Sequence, residues 1–340
     1  MPGRESLKLH NPFGRFTILT AFVCALASTA PAGVCAAPPD TLILATGSVG
    51  GTFLPVGHDL AVYWASACPQ YVIRVDTTAG SVDNLDRLVE GHADLAIVGA
   101  SPFAEVLAGW RPWSDQASEI CTIGNLYDDA EQYVVRASLV RVGNLMDLSG
   151  LKMYPGPHNS GAEIDTRRVL NTVGVEPRYV YVEDRDKGYS ETAEALARGD
   201  FDAATFSGGV PILAVTELFR RHPGEFVILP FSDHMLRKID HARLDFGHVV
   251  IRKGSYPGQK EPIQTVGGPN LLVAAPHVAP EVVAALDRAV RRGIAEEGDG
   301  LRVSAAHPVL QALTEEFWDT LPVGQRCATA HAAPGSGSQD

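Results

Sequence analysis

Thr46-Gly47-Ser48-Val49-Gly50-Gly51-Thr52-Phe53 is the stretch on which the reading of this chain turns. An apolar run, Leu42-Ile43-Leu44-Ala45, precedes it and reads as a buried strand. A helical pattern follows from Leu54 to Trp64, with apolar residues at 54, 56, 60, 61 and 64. The order predicted is strand, glycine turn, helix N-terminus. Glycine lets the backbone approach a ligand closely and adopt positive φ. The first helical turn leaves N–H groups unpaired, with the positive end of the helix dipole behind them. Such a turn suits a carboxylate or another anion. A plain strand-to-helix turn has the same pattern, so the weight falls on whether other turns of this build accompany it.

They do. Tyr71–Val75 reads as a β-branched strand, followed by Thr77 to Asn84 and a helix from Leu85 to Glu90 that ends at Gly91. Ser81 is placed to cap that helix, and Asp83 favours its first turn. Asp94–Gly99 is the next strand, and Pro102 opens a helix to Gly109. This βαβαβα order predicts a parallel sheet covered by helices on both faces. Cys121–Leu126 and Gln132–Arg136 read as strands, the second marking where the chain leaves its first lobe.

A second array repeats the plan. Lys152-Met153-Tyr154 is followed by the turn Pro155 to Gly161, a helix from Ala162 to Val173 stopping at Gly174, and a strand, Tyr179–Val182. Ser190–Arg198 reads as a helix closed by Gly199. Strand Phe201–Phe206 leads into Ser207-Gly208-Gly209-Val210-Pro211 and a helix to Arg221. Phe226–Leu229 and His248–Arg252 are further strands, and Gly254–Gln259 is read as a turn-rich crossing. Asn270–Ala275 is a strand, Pro280–Ala295 a helix, and Val309–Leu313 with Glu315–Thr320 a last helical stretch. The expected architecture is α/β and two-lobed, with lobe 1 over 40–133 plus 268–325, lobe 2 over 134–267, and a ligand cleft between them. Ligands of open α/β sheets bind beyond the carboxyl ends of the strands, where all three glycine-rich turns fall.

Composition narrows the function. The 340 residues, 45% apolar and 20% charged, have an ordinary globular balance, and the formal charge is −12,. An acidic chain offers no basic surface for nucleic-acid phosphates. Residues 1–36 read as an export signal: Lys8 and Arg15 precede an apolar run from Phe16 to Ala30, and Val34-Cys35-Ala36 suits cleavage after Ala36,. The mature protein is therefore expected in the periplasm. The tail 328–340, built of Ala, Gly, Ser and His, reads as disordered,. Three cysteines remain after cleavage, Cys68, Cys121 and Cys327. Export permits a disulfide, but the spacing gives no metal motif, and unpaired thiols are the plainer expectation for at least two of them.

The ordered motifs resemble a known family. Gly47-Ser48-Val49-Gly50-Gly51-Thr52-Phe53 with Pro55-Val56-Gly57, Thr78 to Leu85, and Gly91-His92-Ala93-Asp94-Leu95-Ala96 are similar to the TAXI family, the periplasmic solute-binding proteins of one branch of TRAP transporters. The likeness continues through Asp147–Lys152, Gly156-Pro157 with Ser160-Gly161, Gly199–Ala204, Gly208–Pro211 and Tyr256–Gln259, and covers about 41 to 290. It implies a type II periplasmic-binding-protein fold whose lobes close on a small solute, and a partner in the TRAP transporter's membrane subunits. It implies ligands such as glutamate, other amino acids or dicarboxylates. The second-lobe turn departs from the family, with His158-Asn159-Ser160-Gly161 followed by Ala162 and Glu163, which bears on the solute.

The candidate ligand-binding residues are Gly47, Ser48, Val49, Gly50, Gly51, Thr52 and Phe53 at the first turn, then Ser81 and Asn84, Tyr133 near the crossing, Ser160 and Gly161, and Gly209 with Val210. Ser81 and Ser160 read equally well as plain helix caps. Arg136 is read as a solvated hinge residue rather than a carboxylate partner. No catalytic residue, metal ligand or cofactor is expected. There is no Gly-x-Ser-x-Gly elbow, P-loop or His-Glu-x-x-His motif,, and His234, His241 and His248 lie in charged, solvated surroundings. The chain is expected to work as a monomer on a small anionic or zwitterionic solute. The alternatives are a ligand-sensing subunit of a signalling system, and an anion-using transferase of related fold.

Overall fold

The computed structural model describes residues 40–181, 188–244, 246–297 and 313–327. The expected export signal, the tail 328–340, Val182 and residues 309–312 of the last helical stretch lie outside the described residues. The chain opens with β1 (Asp40–Ala45), α1 (Phe53–Ala67), β2 (Tyr71–Asp76), α2 (Ser81–Val89), β3 (Leu95–Gly99), α3 (Ala100–Glu105), α4 (Ser114–Ala117) and β4 (Cys121–Asp128). A second run gives β5 (Ala130–Arg136), β6 (Lys152–Tyr154), α5 (Gly161–Val173), β7 (Arg178–Tyr179), α6 (Tyr189–Arg198), β8 (Ala203–Gly208), α7 (Leu213–Arg221), β9 (Phe226–Ile228), α8 (Asp233–Ala242), β10 (Gly247–Ile251) and β11 (Ile263–Gly267). The chain closes with β12 (Pro269–Ala274), α9 (Pro280–Glu297), α10 (Glu315–Asp319) and β13 (Gln325–Arg326).

Two sheets carry the fold. One has the order β13-β4-β12-β3-β1-β2, the other β7-β6-β8-β5-β9, and β10 pairs with β11 alone. In the first, β1 runs parallel to β2 and β3, while β12 is antiparallel to β3 and β4. In the second, β8 is parallel to β6 and antiparallel to β5. Parallel strands joined through helices are covered on both faces, which is why β3 reads as an unbroken apolar run,. Helix α1 turns Val56, Leu60 and Trp64 onto the first sheet, a four-residue spacing that sets one stripe inward,. The core there joins Leu44, Trp64, Ile97, Leu272, Leu286 and Trp318. Trp318 lies so close to the backbone of Gly124 that a β-carbon there would sit 2.3 Å from its ring.

Two of the chain's changes of sheet are a single residue long. Asp129 separates β4 from β5, and Gly268 separates β11 from β12. The Asp129 N–H donates to the Gly268 carbonyl at 2.8 Å, joining the two crossings. A β-carbon on Gly267 would fall 1.8 Å from the Asp129 carbonyl, so only glycine fits beside that junction. The sequence placed the exit at Gln132–Arg136 and a crossing at Gly254–Gln259. Instead, Tyr256 packs into the core of the smaller sheet and donates its hydroxyl to Gln132. The return runs through β11, whose Ile263, Thr265 and Val266 have the β-branched composition of a strand.

Cys121 is bonded to Cys327 across a sequence separation of 206 residues, and Cys68 is buried and free. The expectation of unpaired thiols for at least two of the three is thereby corrected. Spacing hides the pairing; the parallel register of β13 on β4, with Gln325 opposite Cys121, creates it.

Candidate functional site

The N-termini of three helices, α1, α2 and α5, meet at one cavity of about 60 Å³. Each follows a strand through a glycine-containing turn, as the sequence order predicted. Gly47, Ser48, Gly51, Thr52, Phe53 and Ser81 line the cavity from elements of the larger sheet, and Ser160 and Gly161 line it from α5, which packs on the smaller one. Gly161 and Ser81 approach so closely that a β-carbon on Gly161 would be 2.9 Å from the Ser81 Oγ.

The two sides are locked against each other around it. The N–H groups of Ser190 and Ala214 donate to the carbonyls of Val49 and Gly50, both at 3.2 Å. The Thr52 hydroxyl accepts from the Gly209 N–H and from the Tyr127 hydroxyl, both at 3.1 Å. Ser101 donates to Asp165 at 2.6 Å, and Arg168 donates to Ser101 while pairing with Glu105. Arg111 reaches Asn159 at 2.7 Å, with Asn159 held at φ 62°. These bonds describe a closed cleft.

Six of the expected ligand residues do other work. Val49 is 56% exposed and lines a neighbouring groove beside Ser48. Gly50 takes φ 90° where the turn meets Ser190. Asn84 is buried; its amide donates to the carbonyls of Thr46 and Ile97 and its oxygen accepts from Thr78, so it braces the turn. Gly209 contacts Thr52, and Val210 lies outside the cavity lining, in a Val210–Pro211 cis peptide. Tyr133 has 0% exposure and packs against Phe231 in the core of the smaller lobe, because its strand position faces inward rather than toward the cleft. Arg136, read as solvated, donates to the carbonyls of Leu196 and Ala197 and so caps the C-terminus of α6,.

The two serines divide. Ser160 caps α5, accepting from the Glu163 N–H at 3.2 Å, while also lining the cavity. Ser81 is the first residue of α2 rather than its cap, and Gly80 holds the cap position at φ 117°. The Ser81 oxygen accepts from the Gly99 N–H at 3.0 Å, which leaves its hydroxyl proton for another acceptor,.

Sequence reading missed the acids. Asp129 and Asp165 both line the cavity, together with Ser207 and Tyr189. Burial, reinforced by neighbouring carboxylates, lifts Asp129 to about 7, although Asn270 donates to it at 2.6 Å. Burial lifts Asp165 to about 7 as well, against the opposing pull of the Ser101 hydrogen bond and of Arg168. Behind them Glu131 accepts from Ser207 and is pushed well above the usual carboxylate range by burial and by Asp165. Among the described residues, no Lys, Arg or His lines the cavity. The signals were present: Asp128-Asp129 interrupts two strand runs, and Asp165 shares a helical face with Ala162 and Val169. No group of three or more His, Cys, Asp or Glu among the described residues is disposed to hold a metal ion. His234, His241 and His248 are exposed, and His248 pairs with Asp240.

A family model described as the NMT1-like family matches residues 44–316. No curated protein sequence matches the chain. Among solved structures, an ancestral arginine-binding protein bound to arginine is similar at a TM-score of 0.50 and 14% identity, covering 77% of this chain and 95% of that one. A periplasmic binding protein from Brucella ovis with glutathione bound gives 0.49 and 14%, covering 76% and 69%. The alkanesulfonate-binding protein from Xanthomonas axonopodis pv. citri bound to MOPS gives 0.45 and 17%, covering 77% of each chain. The likeness is one of fold, the mixed α/β, type II periplasmic-binding-protein architecture expected from the sequence.

Proposed function

We propose that this chain, which belongs to the NMT1-like family, is an exported solute-binding protein that captures a small amino acid or organic acid in its interlobe cleft. The observation that carries this reading is the convergence of three helix N-termini, from elements of both sheets, on one cavity inside a closed cleft. Helix N-termini supply preorganised N–H donors and a favourable potential for a carboxylate. Ser81 and Ser160 add hydroxyls on opposite walls. A cavity of about 60 Å³ holds on the order of four waters, which suits the head of a compact solute rather than a polymer.

Delivery to the membrane subunits of a TRAP transporter of the TAXI type is the finer part of this proposal. Its support is the ordered set of motifs from Gly47–Phe53 to Tyr256–Gln259. The lobes are proposed to swing about Asp129 and Gly268, closing on the solute by a hinge motion. The solute stabilises the closed form only through contacts it makes there and nowhere else.

Native mass spectrometry of freshly purified protein tests the binding reading by identifying a small molecule carried with the chain. A thermal-shift screen of amino acids and organic acids tests it independently, because selective binding to the folded state raises the melting temperature. A chain that carries nothing and responds to no member of the screen refutes it. Reconstitution with a TRAP permease, measuring solute uptake that depends on this chain, tests the delivery step.

A further inference from the structure

We infer that the captured solute carries a protonated amine, and that Asp165 and Asp129 are the groups that receive it. The inference rests on the solute-binding reading and narrows the class of solute. Asp165 is only 6% exposed, yet it lines the cavity. One of its oxygens accepts from Ser101 at 2.6 Å; the other has no hydrogen-bond partner among the described residues. Asp129 lines the same cavity and is bonded through one oxygen to Asn270. Glu131, behind Ser207, keeps a buried oxygen, Oε2, with no partner among the described residues.

Buried carboxylates without a cation are costly, since removing charge from water is repaid only by a paired and hydrogen-bonded neighbour. Among the described residues, the cation that acts on Asp165 is Arg168. Its guanidinium is taken by Ser101 and Glu105, so it reaches Asp165 only through the serine hydroxyl. Asp128 and Glu105 add negative charge around the pair, and among the described residues no cationic side chain lines the cavity. A dicarboxylate or a sulfonate without an amine would place its charge against these acids. An ammonium would supply donors to the open oxygens and cancel the charge.

The remaining walls complete the match. A carboxylate on the same solute would meet the N-termini of α1, α2 and α5, which line the same cavity as the acids. The site therefore combines backbone and hydroxyl donors with carboxylate acceptors, which is the pattern of an amino acid or a small amino-bearing acid. The expected solute class, anionic or zwitterionic, is narrowed to its amine-bearing half. Because burial holds both acids near neutrality, an arriving ammonium also drives off a proton.

The test compares matched pairs on the purified exported chain, stripped of bound solute by unfolding and refolding. The probes are L-alanine with propionate, L-glutamate with glutarate, L-arginine with its deaminated analogue, and putrescine alone, by thermal shift and calorimetry. At least one amine should bind 100-fold or more tightly than its deaminated partner, with a proton released at pH 6.5. Asp165→Asn and Asp129→Asn should each weaken that amine at least tenfold while melting no lower than the parent. A deaminated acid binding as tightly as its amine overturns the inference and leaves the binding reading standing. So does retained amine affinity in both variants. If no probe binds and native mass spectrometry finds no carried solute, the binding reading falls, and the inference with it.

Discussion

Asp165→Asn should make the solute-free protein more stable, by an amount that grows with pH. In the folded chain the carboxyl is lifted by burial from 3.8 to about 7. The unfolded chain ionises near 3.8, so folding takes up a proton between these values. A raised acid destabilises: the penalty begins above the unfolded pKa, grows as pH rises, and levels off above 7. Each unit is worth about 1.4 kcal/mol, so the native aspartate costs about 2 kcal/mol at pH 5 and about 4 kcal/mol at pH 8. Asparagine keeps the bond from Ser101 and avoids the penalty. For about 300 residues, the unfolding entropy converts 1 kcal/mol into roughly 1.6 °C. The variant should therefore melt about 3 °C above the parent at pH 5 and about 6–7 °C above it at pH 8. Scanning fluorimetry of solute-free parent and variant at both pH values is the assay. A variant that melts lower at pH 8, or a difference that does not change with pH, would show the carboxylate to be ionised and paired with Arg168, and the electrostatic account of the cleft would be wrong.

Three further outcomes are expected. Gly50→Val puts a β-carbon 2.5 Å from the Ser190 hydroxyl across the cleft, at a residue with φ 90°. It should block closure, weakening solute binding at least tenfold and enlarging the radius of gyration seen by small-angle scattering; an unchanged affinity would move closure elsewhere. Asn84→Leu removes the amide that donates to the carbonyls of Thr46 and Ile97, leaving only the Thr78 hydroxyl on Thr46, at a cost of about 3 kcal/mol. A melting temperature within 1 °C of the parent would contradict its bracing role. Replacing Cys121 and Cys327 by serine releases a loop of 206 residues and should cost about 5 kcal/mol by loop-closure entropy. Guanidinium titration of the two forms measures it, and equal midpoints would mean that the bridge constrains nothing in the unfolded chain.

Much of the fold was legible because its elements are bounded by local chemistry. Gly174 and Gly199, both left-handed, stop α5 and α6 where the sequence said they would, and the glycine turns at Gly47–Phe53 and Pro155–Gly161 lead into α1 and α5. What escaped reading depends on partners distant in sequence. Tyr133 alternates correctly in its strand, but which face meets the cleft is set by β8 and β9 on either side. Asp129 has no periodicity to announce it, since it stands alone between two strands. Asp165 follows a helical face that is otherwise apolar, and the cavity it lines exists only once α5 meets α3. Val49 and Gly50 belong to a motif that reads as one unit, yet the turn aims the residues on either side of this pair at the cavity and the pair itself at the opposite wall.

The disulfide has a consequence beyond stability. Cys121 opens β4 and Cys327 directly follows β13, its neighbour in one sheet, and both crossings, at Asp129 and Gly268, fall inside the ring that the bridge closes. Opening the cleft therefore leaves the bridge unstretched. Under tension applied at residues 40 and 327, force would pass from the first strands to Cys121 and directly through sulfur to Cys327. The smaller lobe would hang outside the load path, free to open and close while the larger one is held.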